Sequence, residues 1–174
     1  SVMISTVLKK NNLVILESTS PVKTTENVAE WMQDKRADLS FPIFDSDESS
    51  DIYLAYCPER VLPGNVVHEL VKNDRIVGGV SQESSIKACE IYNIFLEGEC
   101  YVTDCRTAEL SKLVENSYRD VNIAFANELS LICDKLDINV WKLIELANRH
   151  PRVKILQPGP GVGGHCIAID PWFI

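Results

Sequence analysis

Apolar positions along this chain change their rhythm twice. Residues 2–10 read as the end of a helix, and Leu13-Val14-Ile15-Leu16 follows as an unbroken apolar run. Such a run suits a strand buried on both faces of a parallel sheet. Ser18-Thr19-Ser20-Pro21 predicts a turn and a helix start with Pro21 near the first helical position, the helix running to about Lys35. Residues 38–50 are acidic, polar and proline-containing, which predicts a surface loop. Beyond it the pattern gives a strand at Ile52–Tyr56, a short helix at Asn65–Val71 and a strand at Arg75-Ile76-Val77 closed by Gly78-Gly79. A helix at Ser84–Leu96 and a strand at Glu99–Thr103 complete this part. Strands separated by helices predict a parallel α/β sheet.

After Asp104 the pattern changes. Neither Gly nor Pro occurs from about Thr107 to Leu136, and apolar residues fall at Leu110, Leu113, Val114, Tyr118, Val121, Phe125, Leu129, Ile132 and Leu136. That is helical spacing. A helix of this length exceeds the usual globular range, so it is expected to cross between domains or support a dimer. A second helix at Val140–Asn148 follows, then a glycine-rich loop from Gln157 to Cys166, then Asp170-Pro171-Trp172.

Composition narrows the reading. A chain of 174 residues with 45% hydrophobic and 24% charged residues is ordinary for a globular protein. Its net charge of -8 argues against a nucleic-acid surface, although a few local cations suffice for a phosphate-bearing small ligand. No apolar run is long enough to span a bilayer, and the opening residues lack the features of a signal peptide. Six cysteines include no C-x-x-C pair, which disfavours a zinc knuckle. No metal is expected. Five of them read as buried small hydrophobes, and a reducing cytoplasm is expected.

Three groups of residues could carry chemistry. Gly159, Gly161, Gly163 and Gly164 would let backbone N–H groups approach a ligand, with Cys166 at the end of their loop. The alternative is a hinge with an incidental thiol. Lys112 and Asn116 lie one turn apart on a helix, as an oxyanion clamp would need; a solvated face with Glu109 and Glu115 is the plainer account. Thr19 and Glu59 follow strand ends, where ligands gather in parallel sheets. A helix cap for Thr19 and a surface charge for Glu59 are the plainer accounts. Together the groups suit covalent chemistry at a carbonyl, in a thiol hydrolase as readily as in a dehydrogenase.

Glu17-Ser-Thr-Ser-Pro21, Cys57-Pro-Glu-Arg-Val-Leu-Pro-Gly64, Glu109-Leu-Ser-Lys112-Leu-Val-Glu-Asn116 and Gly161-Val-Gly-Gly-His-Cys166 through Asp170 occur in one order along nearly the whole chain. In these motifs the chain resembles the UDP-glucose/GDP-mannose dehydrogenases. The resemblance implies an α/β fold: the second half of a Rossmann-like parallel sheet domain over residues 1–104, then a long central helix and a small all-α domain over residues 105–174. It implies NAD as cofactor and two-step oxidation of the C6 alcohol of a UDP-sugar, for bacterial surface polysaccharide. Arg60 and Pro63 stand where the UDP-glucose enzyme has Phe and Glu, which points to another sugar. The stretches PERVLPG, RDVNIAFANELSLIC, NRHPRV and GPGVGGHCIAIDPWF resemble the members that act on UDP-N-acetyl-D-mannosamine. UDP-glucose and UDP-N-acetylglucosamine remain alternatives.

By the same resemblance Cys166 attacks the aldehyde, Lys112 and Asn116 stabilise oxyanions, and Asp170 assists proton transfer. Thr19 and Glu59 position water or act as base. Glu17, Ser18, Thr19 and Cys166 would line the cofactor. Arg60, Val61, Lys112, Asn116, Gly161 and Gly163 would hold substrate, joined by His150 and Arg152 from the neighbouring subunit of a homodimer built on helix 107–136. One departure stands out: the family opens on a strand, a G-x-G-x-x-G turn and a helix that hold the pyrophosphate, and this chain has no such motif. It also stops before the family's C-terminal domain. The expectation is a truncated chain, inactive alone, that could serve as a non-catalytic dimerisation module.

Overall fold

A computed structural model describes residues 2–46, 48–61 and 64–174. The Pro63 position of the substrate motif lies outside the described residues. The chain divides into two compact units, residues 1–112 and 113–174, with the division inside one helix.

The first unit carries α1 (Val2–Ser5), β1 (Leu13–Leu16), α2 (Thr24–Gln33), β2 (Tyr53–Tyr56), α3 (Val66–Lys72), β3 (Arg75–Gly79), α4 (Gln82–Tyr92) and β4 (Cys100–Asp104), and the start of α5 (Cys105–Lys135). The strands form one sheet in the order β1-β2-β3-β4. β1 runs parallel to β2 and β3 parallel to β4. Between them the expectation of a parallel sheet fails: β2 and β3 are antiparallel, with Ala55 opposite Gly79 and Tyr56 opposite Gly78. The cause is the excursion between these strands, which begins and ends at one end of the sheet. Arg75 at the start of β3 reaches back to Cys57 and Glu59 just after β2.

The unbroken apolar run of β1 is explained by two cores, one on each face. Val14 and Leu16 pack with Leu54, Val28 and Met32, on the side of α2. Leu13 and Ile15 pack with Ala55, Val77, Ala88 and Tyr92, on the side of α4. The two-residue period of a strand sends alternate side chains to each core. Gly78 is required by close approach, since a β-carbon there would come within 2.3 Å of the Asp104 carbonyl oxygen.

Several element ends differ from the sequence expectation. α1 is a single turn rather than reaching residue 10, because Ser5 Oγ bonds the Val2 carbonyl and Asn12 Oδ1 takes the Lys9 N–H. α2 begins at Thr24, not at Pro21, and its cap residue Lys23 has φ 77°. α4 begins earlier, where the Ser81 hydroxyl accepts the Ser84 N–H at 3.2 Å. α5 follows β4 directly because Asp104 receives the Thr107 N–H at 2.9 Å and the Thr107 hydroxyl at 2.6 Å, a side-chain cap.

The second unit contains the remainder of α5, then α6 (Val140–Ala147), a long loop and a 3-10 turn at Asp170–Phe173. α5 has 31 residues, about 46 Å at the helical rise. Leu113, Ala126 and Cys133 are buried on it, but much of the expected apolar stripe is not. Tyr118 is 71% and Val121 65% exposed, with Val114, Phe125, Ile132 and Leu136 also exposed. Among the described residues no helix is long and apolar enough to cross a membrane.

Candidate active site

The first unit brings the two strand-end motifs together. β1 and β2 are parallel, so Glu17 and Glu59 leave the sheet at the same end, where the Glu59 N–H donates to the Glu17 carbonyl at 3.3 Å. Glu59 Oε1 accepts from the N–H groups of Arg60 at 2.7 Å and Val61 at 2.9 Å, and its other oxygen lies 3.6 Å from Arg75 Nη1. The Glu59 carboxylate is therefore tied to its own turn and to a buried guanidinium. It is more than a surface charge.

Arg75 was not foreseen from sequence. Its guanidinium is buried, lies 3.9 Å from Cys57 Sγ and stacks 5.0 Å from the centre of the Tyr92 ring. Tyr92 donates its hydroxyl to Glu17 Oε1 at 2.8 Å. Burial pushes the Tyr92 hydroxyl well above its ordinary range, and the neighbouring Cys57 and Glu17 push the same way. Burial likewise raises the Cys57 thiol, against the opposing pull of Tyr92 and Arg75. Cys57 is thus a protonated core thiol. Glu17 and Ser18 are exposed and Thr19 is half-buried, in a turn closed by the Ser20 hydroxyl on the Ser18 carbonyl at 2.9 Å.

Lys112 and Asn116 stand on successive turns of α5, both half-buried. The solvated face imagined beside them fails at Glu109. That carboxylate is fully buried, accepting from Lys23 N–H at 2.6 Å, Thr25 N–H at 2.8 Å and the Thr25 hydroxyl at 2.7 Å. Burial pushes it above the ordinary carboxylate range despite those three bonds, which favour the charged form. A cleft of about 720 Å³ lies between Arg60, Asp74, Ile76, Tyr101, Thr103 and Ser111, and neither Thr19 nor Glu59 lines it.

In the second unit Cys166 is exposed, whereas Cys57, Cys89, Cys105 and Cys133 are buried and Cys100 is intermediate. The Cys166 carbonyl accepts the Asp170 N–H at 2.9 Å, and the Asp170 carboxylate accepts from Asn116 Nδ2 at 2.5 Å. Asp170 is only 5% exposed, so its carboxylate is held rather than solvated. Asn127 of α5 takes the Gly159 N–H at 2.8 Å and anchors the start of the glycine loop, a contact that nothing in the sequence marked. Gly161, at φ 154°, and Gly163 have open space around them, and Gly164 holds φ 100°, which excludes most other residues. Gly159 to Gly164 has the lettering G-x-G-x-x-G, but no strand precedes it and no helix opens on it. It is not a pyrophosphate turn. His150 and Arg152 are exposed neighbours, the Arg152 N–H donating to His150 Nδ1 at 3.3 Å.

These features have clear relatives. Residues 1–96 match the NAD binding domain of the UDP-glucose/GDP-mannose dehydrogenase family, and residues 106–174 match its central domain. The UDP-N-acetyl-D-mannosamine dehydrogenase of Campylobacter jejuni is 68% identical over 98% of this chain and 42% of its own length. An NDP-N-acetyl-D-galactosaminuronic acid dehydrogenase of Ralstonia nicotianae is 63% identical over 98% of this chain and 40% of its own. The solved UDP-D-ManNAc dehydrogenase of Pyrococcus horikoshii superposes with TM-score 0.88 at 45% identity, over 98% of this chain and 39% of that one. The chain spans about two fifths of the length of these relatives. It belongs to the UDP-glucose/GDP-mannose dehydrogenase family.

Proposed function

We propose that these residues form part of an NAD-dependent dehydrogenase that oxidises the C6 alcohol of UDP-N-acetyl-D-mannosamine to the carboxylate. The observation that carries the reading is Cys166, an exposed thiol at the end of a glycine loop. Its carbonyl takes the N–H of Asp170, itself fastened through its buried carboxylate by Asn116. Identity of 68% to a UDP-N-acetyl-D-mannosamine dehydrogenase supports the choice of sugar. The Ralstonia relative favours a second reading, in which another N-acetylated nucleotide hexosamine is the substrate.

The parallel ends of β1 and β2 fit one end of a dinucleotide, since such crevices receive the cofactor in doubly wound folds. Glu17, Ser18 and Thr19 would hold the nicotinamide side. NAD, when bound, accepts the hydride lost from C6 in each of the two oxidations. In the first, Glu59 or a water held by Thr19 takes the hydroxyl proton as the hydride departs, leaving an aldehyde. The Cys166 thiolate then adds to the carbonyl carbon; a carbon–sulfur bond forms and the oxygen takes a proton, giving a thiohemiacetal. Loss of the hydroxyl proton and a second hydride gives a thioester. Water adds to it, the carbon–sulfur bond breaks, and thiolate and carboxylate separate with release of protons. Lys112 and Asn116 stabilise the oxyanions, while Asp170 assists proton transfer. Arg60, Val61, Gly161 and Gly163, with His150 and Arg152 of a second copy, hold the nucleotide sugar. The exposed stripe on α5 supports a homodimer, and cysteines within core elements suit a reducing cytoplasm. The uronate would serve bacterial surface polysaccharide.

The test is Cys166→Ser in a full-length dehydrogenase carrying these residues. Acid formation from UDP-N-acetyl-D-mannosamine is expected to fall on the order of 1000-fold or more, and mass spectrometry should no longer trap an acyl-enzyme. Near-normal acid formation would remove the covalent route.

A further inference from the structure

α2 has no cap of its own. Its N-cap, Lys23, sits at φ 77° and ψ 4°, a left-handed conformation unfavourable for a residue with a β-carbon, and its side chain makes no capping bond. The missing acceptor comes from 86 residues along the chain, where Glu109 Oε2 takes the Lys23 N–H. Glu109 Oε1 takes both donors of Thr25. One buried carboxylate therefore satisfies the N–H groups of the strained cap and of Thr25 in the first turn of α2.

We propose that Glu109 is a positioning residue of the dehydrogenase reaction, locking the Thr19-bearing turn to the Lys112-bearing turn. This rests on the function proposed above. Thr19 lies four residues before Lys23, in a turn whose Ser18 carbonyl takes the Ser20 hydroxyl and whose Pro21 carbonyl takes the Thr24 N–H. Lys112 lies three residues after Glu109, on the same helical face. Movement at the Glu109 junction thus passes over short, hydrogen-bonded links to both side chains. One turn before, Arg106 grips Glu26 of α2 through Nε and Nη2, at 2.7 and 2.8 Å. That second tie keeps the two helices together when Glu109 is altered. Only a carboxylate fills the role, because glutamine has one acceptor oxygen and its amide would set donor against donor at Lys23.

The experiment is Glu109→Gln in a full-length dehydrogenase carrying these residues. Amide exchange at Lys23 and Thr25 is expected to quicken at least about 10-fold, with the sheet amides unchanged. Turnover is expected to fall about 100-fold, the effect of a displacement near 1 Å. KM for the UDP-sugar should move less than about threefold, since bound ground state is little affected. Lys23→Gly added to Glu109→Gln should restore part of the turnover, because glycine adopts positive φ freely. Unchanged exchange and turnover in Glu109→Gln overturn the assignment, as does lost turnover with Lys23 and Thr25 still protected, or a rise in KM alone. If Glu109→Gln does not fold, Thr25→Val keeps both backbone bonds and must show the same changes on a smaller scale; a silent Thr25→Val overturns the proposal. A wild-type enzyme inactive on nucleotide sugars sinks the functional reading and the positioning role with it. The exchange measurement then still decides the Glu109 anchor.

Discussion

Asn116 and Asp170, 54 residues apart in the chain, are joined by a hydrogen bond of 2.5 Å from Nδ2 to Oδ2. Asp170 in turn gives its N–H to the Cys166 carbonyl, so the turn that carries the exposed thiol is fastened to α5 through one buried carboxylate. Asn116→Ala removes that donor from a carboxylate with little access to water. The expected cost is about 1–3 kcal/mol in urea unfolding of the 174-residue chain. A change within about 0.5 kcal/mol, as at an ordinary surface site, would mean that water replaces the amide freely.

Asp104 should anchor the start of α5. Asp104→Ala is expected to cost about 1 kcal/mol, the usual loss for a side-chain cap. The sign of its pH dependence follows from its surroundings. Burial pushes the carboxyl up, but the Thr107 hydroxyl and the backbone N–H groups at the helix start outweigh it and hold it below the ordinary 3.8. A depressed carboxyl contributes stability above its unfolded value and loses it as pH falls through the folded value. The difference between wild type and Asp104→Ala should therefore be full near neutrality and shrink only below about pH 4 in acid-titrated urea melts. A difference that grows on acidification contradicts the cap.

What the sequence made legible was what local periodicity encodes. The run Leu13–Leu16 marks a strand that meets a core on each face, although at the edge of the sheet its four side chains are only half-buried. The direction of β3 against β2 carried no such mark, because it depends on where Arg75 returns to meet Cys57 and Glu59. The start of α2 was misplaced for a related reason: its cap is Glu109, remote in sequence, while Ser18, Ser20 and Pro21 offered a local start that the fold does not use. Spacing on α5 identified a helix and an apolar stripe, yet spacing does not say what covers the stripe. Of the proposed site residues, Cys166, Asp170 and Asn116 are legible as motif letters. Their mutual fastening, and the Asn127 contact to Gly159, were not.

The uncovered part of that stripe yields a test of assembly. Val114, Tyr118, Val121 and Phe125 recur at three- and four-residue steps on one side of α5, and all are exposed. If a second copy covers them, Phe125→Glu places a charge in an apolar contact and should raise the dimer dissociation constant at least about 10-fold in sedimentation equilibrium. Stability of the monomer should move by less than about 0.5 kcal/mol, since the site is exposed there. Wild-type protein that stays monomeric at high concentration, or an unaltered dimer in Phe125→Glu, would leave the stripe to some other cover.

The last expectation concerns NAD and these 174 residues alone. Dinucleotide affinity in such folds comes largely from the pyrophosphate, bound by backbone N–H groups and the positive end of a helix that opens on a glycine turn after a strand. Among the described residues no strand-to-helix passage carries that glycine turn. β2 leads to α3 through residues 57–65, which have a single glycine, and the Asn65 side chain makes no capping bond. β1 leads through Glu17–Lys23 to α2, where Glu109 takes the Lys23 and Thr25 N–H groups and the Pro21 carbonyl takes that of Thr24. β3 leads to α4, whose start is taken by Ser81, and β4 leads to α5, capped by Asp104. The glycine loop at 159–164 joins no strand to a helix. On the function proposed above, the cofactor would keep only its nicotinamide side at Glu17–Thr19, too small a contact to offset the entropy of binding. Calorimetric titration of this chain with NAD should therefore show a dissociation constant weaker than about 1 mM, roughly 4 kcal/mol of binding free energy. Micromolar binding would require a pyrophosphate site without a glycine turn, and would overturn this account of where the cofactor is held.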